Sequence, residues 1–70
     1  MAFREEIGVI AGRIWTYLNG RDGFTDVLRL KFDLKLTNTE VYLGLGWLAR
    51  EEKIEFAHEG PPVQVRLKTA

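Results

Sequence analysis

The stretch Thr37-Asn38-Thr39-Glu40 is a T-x-x-E capping box set directly before an apolar periodic run. In such a box the threonine hydroxyl accepts from the backbone N–H three residues on. The glutamate carboxylate accepts in return from the N–H of the threonine, so two otherwise orphaned donors are satisfied together. A helix therefore begins at Thr37, and any helix before it must stop first. Val41, Leu45 and Leu48 give the new helix its inward stripe, and it is expected to end around Arg50 or Glu51.

That boundary compresses what lies upstream. Gly20-Arg21-Asp22-Gly23 is a turn, after which Phe24 is expected to make a short extended contact. Thr25 or Asp26 then caps a short second helix with Val27, Leu30 and Leu34 facing inward. In the first third, Ile7, Ile10, Ile14 and Leu18 recur at helical spacing beside Ala11 and Trp15, while Arg4, Glu5, Glu6 and Arg13 fall on other faces. Asn19-Gly20, a pair tolerant of left-handed backbone, is expected to end that first helix.

Beyond Glu52 the period changes from helical to two. Ile54 and Phe56 alternate with Glu55 and Ala57, and Val63, Val65 and Leu67 alternate with Gln64, Arg66 and Lys68. Glu59-Gly60-Pro61-Pro62 between them has the composition of a turn. The reading is an antiparallel hairpin whose apolar face must pack on the helices, because an isolated hairpin is only marginally stable. The chain is thus a single domain over residues 1–70, α+β but mainly α: three helices and then two strands.

Composition limits the function classes. The 70 residues contain no cysteine, so neither disulfides nor thiolate metal sites support the fold, and a reducing cytoplasmic setting is expected. No apolar run is long enough to span a membrane. Ten basic and ten acidic side chains cancel, and no segment is a basic arm, so overall charge lends no support to nucleic-acid binding.

Two closely spaced helices, the second opening on a cap with Val41, Leu45 and Leu48 inward, then a strand from Ile54, resemble the winged helix-turn-helix family over nearly the whole chain. The run from Val41 to Ile54 looks most like a group of small stand-alone bacterial winged-helix proteins of unassigned function. The resemblance implies a three-helix core closed by a C-terminal two-stranded wing. It also implies a third helix laid in the major groove of duplex DNA, as in transcription regulators.

On that reading the outward positions of the third helix are Thr39, Tyr42, Leu43, Gly46, Trp47 and Arg50. Thr39, Tyr42 and Arg50 would approach the bases, with Asn38 and Lys35 near the helix start and Lys35, Lys53, Arg66 or Lys68 on phosphates. Leu43 and Trp47, four apart, form a second apolar ridge well rotated from the core stripe. Two readings stay open for Trp47. It folds down onto the wing or first helix, or it joins Leu43 and Gly46 in a contact surface extended by Leu28 and Phe32 on the second helix. The glycine pair Gly44 and Gly46 inside a helix suggests crowding. The contact-surface reading predicts a homodimer or a protein partner, as a module that no longer binds DNA.

Catalysis is not expected. His58, the only histidine, reads as a solvated turn residue beside Glu59, and the pairs Glu5-Glu6 and Glu51-Glu52 read as surface and helix-end charge. No phosphate-loop, dinucleotide or nucleophile-elbow pattern occurs, and no cofactor or metal is expected.

Overall fold

The computed structural model describes residues 3–57 and 62–68. Along the chain run α1 (Phe3–Asn19), β1 (Thr25–Asp26), α2 (Val27–Leu34), α3 (Asn38–Arg50), β2 (Ile54–Phe56) and β3 (Gln64–Leu67). His58 and the turn residues Glu59, Gly60 and Pro61 lie outside the described residues.

Local chemistry sets most of these boundaries. α1 ends at Asn19 as its sequence predicts, but not by a left-handed step. Gly20 N–H and Arg21 N–H reach back to the carbonyls of Tyr17 and Leu18 at 3.3 and 3.0 Å, and positive φ waits until Gly23 at 73°. Of the two candidate caps for α2, Asp26 takes the role, its carboxylate accepting from Leu28 N–H at 2.8 Å.

α2 and α3 close in the same way, each on a left-handed residue that is not glycine. At the end of α2, Lys35 (φ 56°) donates to Phe32 and Leu36 to Lys31. At the end of α3, Glu52 (φ 58°) donates to Ala49 and Lys53 to Leu48. This paired closure satisfies carbonyls that a helix end leaves open. Those bonds offset the roughly 1–2 kcal/mol that a side chain costs in left-handed backbone. The capping box forms as the sequence requires: Thr37 N–H donates to the Glu40 carboxylate at 2.8 Å, and Glu40 N–H to the Thr37 hydroxyl at 3.1 Å.

The strands make a sheet of order β1-β3-β2, one strand more than the expected wing. Thr25 pairs with Val65 and Asp26 with Gln64, while Ile54, Glu55 and Phe56 pair with Leu67, Arg66 and Val65. A two-residue strand is too short to show any period. It forms because Thr25 is buried against the core and the last strand, and Val27 N–H extends the pairing by donating to Val63 at 2.9 Å. The apolar face of the hairpin is covered at Ile54 and Val65 but runs past the helices at Phe56 and Val63, which stay exposed.

The core joins Ile10, Ala11, Ile14 and Leu18 of α1 to Val27 and Leu30 of α2, Leu36, and Val41, Leu45 and Leu48 of α3, closed by Ile54 and Val65. α1 and α3 cross at Gly44. A Cβ there would lie 2.7 Å from Ile14 Cδ1 and 2.9 Å from Ile10 Cγ2, both well inside van der Waals contact. At Gly46, two residues on, a Cβ would meet nothing within 4 Å. The crowding expected of the glycine pair therefore exists at Gly44 alone.

Substitutions at the two positions should act in opposite directions. Gly44→Val should destabilise the domain by about 1–3 kcal/mol through overpacking. Gly46→Ala should stabilise it by up to about 1 kcal/mol through helix propensity. Thermal unfolding followed by circular dichroism checks both; equal shifts of one sign would contradict the crossing geometry.

A pH dependence follows from the cap. The Thr37 N–H, above all, holds the Glu40 carboxyl below its usual range, and the Tyr17 hydroxyl does the same for Asp33. A carboxyl whose folded pKa lies below its unfolded one stabilises the fold fully above the unfolded value. That contribution is lost as pH falls through the lowered folded value. Glu40→Ala should lower Tm at neutral pH, and the gap to wild type should close on acidification below about pH 4. A gap unchanged down to about pH 2 would remove the carboxylate from the account.

Candidate functional site

The orientation of the helix-turn-helix is set from α1. Arg13 donates to the Leu34 carbonyl at 2.7 Å, capping the end of α2. The Tyr17 hydroxyl donates to Asp33 at 2.5 Å, and Arg29 reaches the same carboxylate at 3.3 Å. Burial, and then this bond, raise the Tyr17 hydroxyl above its ordinary pKa. Arg21 lies over the Tyr17 ring, 4.8 Å from its centroid.

α3 held in this frame exposes two flanks. Tyr42 and Trp47 are five residues apart, which at 3.6 residues per turn separates them by about 140° around the axis. Asn38, Thr39, Tyr42 and Arg50 are exposed, with Tyr42 at 58%. Glu40, the one carboxylate within α3, is committed to the Thr37 cap. Gly46 is exposed and Leu43 half-buried.

The other flank answers the question left open for Trp47. It shares a cleft with Gly8, Gly12 and Trp15 of α1, rimmed by Glu51 and Lys53. Trp47 is 39% exposed and Trp15 40%, so each ring is partly covered by the chain and partly presented to solvent. Apolar spacing puts Trp15 beside the core stripe and does not reveal the α1 side of this cleft. The available signal was Gly8 and Gly12, four apart in a helix and followed three residues later by a tryptophan. On α2, Leu28 and Phe32 stand exposed at 57% and 73%, the Lys31 ammonium 5.7 Å from the Phe32 ring centroid.

Pairing sorts the basic side chains. Arg66 donates to Glu55 at 2.5 Å and lies over the Phe24 ring, 4.4 Å from its centroid, so its charge is already answered on the outer face of the sheet. Arg13, Arg21, Arg29 and Lys31 are engaged as described. Among the described residues, Lys35, Arg50, Lys53 and Lys68 make no ion pair and no side-chain hydrogen bond. Lys35 stands in the turn before α3. Arg50 ends α3, and Lys53 faces Lys68 where Lys68 N–H donates to the Lys53 carbonyl at 2.9 Å. Arg50, Lys53 and Lys68 thus stand together at the far end of α3, with Lys35 at the near end.

Among the described residues no three His, Cys, Asp or Glu side chains gather as a metal-binding group, and no helix is long and apolar enough to cross a membrane.

Comparison with known proteins agrees with this architecture. The solution NMR structure of protein BT2368 from Bacteroides thetaiotaomicron superposes with a TM-score of 0.79 at 28% sequence identity, over 91% of this chain and 77% of that one. No curated protein matches the chain. The model of a family described as a winged helix-turn-helix domain, DUF2582, matches residues 1–67. Three helices, the last two in a capped helix-turn-helix, and a small antiparallel sheet thus place this chain in that winged helix-turn-helix family.

Proposed function

We propose that the domain binds duplex DNA as a transcription-associated protein of the cytoplasm, with α3 as the element that enters the major groove. The observation that carries this reading is the set of unanswered cations. Lys35 precedes α3, Arg50 closes it, and Lys53 and Lys68 face each other at the base of the strands. Like charges directly opposite on neighbouring strands repel, and a phosphate between them would convert that repulsion into attraction. Thr39 and Tyr42 on the exposed flank, with Asn38 at the helix start, supply hydroxyl and amide groups toward base edges, and Arg50 adds a guanidinium suited to guanine. Arg66, paired with Glu55, contributes least in this arrangement.

With no net charge on the chain, affinity should be modest and strongly dependent on salt. Three phosphate contacts, from Lys35, Lys53 and Lys68, correspond to a slope of about −2.7 in log K against log salt, and Lys35→Ala or Lys68→Ala should each reduce its magnitude by about 0.9. Fluorescence anisotropy with a mixed-sequence duplex reads this directly. Absence of binding at low salt, where non-specific affinity is greatest, would overturn the proposal.

A second reading, self-association or a protein partner in place of DNA, is favoured by the exposed apolar side chains Leu28, Phe32 and Trp47, with Leu43 and Gly46 beside the tryptophan. Trp47→Ala should then shift a wild-type homodimer to monomer while the far-ultraviolet spectrum stays native. A wild-type chain that sediments at 8.1 kDa up to millimolar concentration would exclude the homodimer.

A further inference from the structure

Gly8 and Gly12 occupy neighbouring turns of α1, and a Cβ built on either meets nothing within 4 Å. Gly44 is needed where α1 and α3 cross; these two glycines answer no contact within the chain. Each nevertheless lowers the helix propensity of α1 by roughly 1 kcal/mol relative to alanine. Between them and α3 lies the cleft whose walls are the half-exposed rings of Trp15 and Trp47. Backbone without side chains, flanked by two large rings, is a surface shaped for close approach by another helix.

We infer that this cleft is occupied by a second copy of the chain, in a two-fold dimer packed α1 against α1. The inference rests on the self-association reading and moves its centre from α2 to the α1–α3 cleft. Its rim charges are complementary to themselves. Glu51 and Lys53 stand side by side on the cleft, and neither makes an ion pair among the described residues. A two-fold axis brings the carboxylate edge of one copy toward the ammonium edge of the other, because such an interface uses the same patch on both chains. The chain as a whole carries no net charge, so nothing repels the copies at long range.

The area such a contact needs is small. A specific interface buries at least about 1,000 Å² in total, or about 500 Å² from each chain. That is roughly a tenth of the 5080 Å² accessible surface, so the contact would extend beyond the cleft along α1. Burial would also strand no hydroxyl, since Thr16 Oγ1 already donates to the Gly12 carbonyl at 3.0 Å. Tyr42, on the opposite flank of α3, stays free, and Lys53 is the one cation of the DNA reading that the contact would draw in.

The test is Gly12→Leu. The position is exposed and its Cβ direction open, and leucine favours helix, so the variant keeps the fold. Sedimentation equilibrium should show wild type at about twice 8.1 kDa and Gly12→Leu at 8.1 kDa, with Leu28→Glu/Phe32→Glu still dimeric. A wild-type dimer that survives Gly12→Leu and is lost in Leu28→Glu/Phe32→Glu would overturn the cleft while keeping self-association. A monomeric wild type would overturn both. A Gly12→Leu chain with a disturbed far-ultraviolet spectrum would overturn the claim that the glycine serves only an outside contact.

Discussion

The crossing of α1 over α3 at Gly44 is the constraint on which the other parts of the molecule depend. A glycine there lets the Ile10 and Ile14 side chains lie where a Cβ would otherwise stand, so the two helices approach closely enough to share one core with Val41, Leu45 and Leu48. A domain of 70 residues without cysteine has no disulfide to share that task. Every remaining element packs against this pair: α2 through Val27 and Leu30, the sheet through Ile54 and Val65. Close packing leaves no slack at the crossing. Gly46 has no such role, and the two glycines, alike in the sequence, are opposite in the structure.

Fixing the axes of α1 and α3 makes the rest a matter of orienting α2 and the strands. α1 does the first with side chains, Arg13 on the last carbonyl of α2 and Tyr17 on Asp33. The sheet does the second with backbone. β1 hydrogen-bonds to β3, so the segment that leads into α2 is tied to the end of the chain. The wing is therefore the outer part of a three-stranded sheet whose first strand comes from between the first two helices.

This framework divides the exposed surface of α3 into two flanks with different chemistry. Asn38, Thr39 and Tyr42 present hydroxyl and amide groups, and the unpaired cations stand at the two ends of the helix. Trp47 instead turns toward Trp15 and the open backbone of Gly8 and Gly12. The flank proposed for DNA and the flank suited to self-contact are separate on α3 because about 140° of helix lies between Tyr42 and Trp47, and Lys53 alone is claimed by both. In the sequence the two sets interleave within one short segment and look like rivals for one role.

The sequence alone carries the order and the ends of the helices. Those depend on chemistry within a few residues: the Thr37–Glu40 box, a cap at Thr25 or Asp26 that the fold resolves to Asp26, and apolar spacing that the core then matches. It also determined the inward set of α3, since period alone selects Val41, Leu45 and Leu48. Whatever depends on partners distant along the chain is visible in the fold and not before. β1 exists because β3 lies beside it, and Arg66 is neutralised because register places Glu55 opposite and Phe24 beneath. Gly44 is crowded and Gly46 free because α1 crosses one and misses the other. The cleft of Trp15 and Trp47 joins residues thirty-two positions apart, a proximity that no local pattern carries.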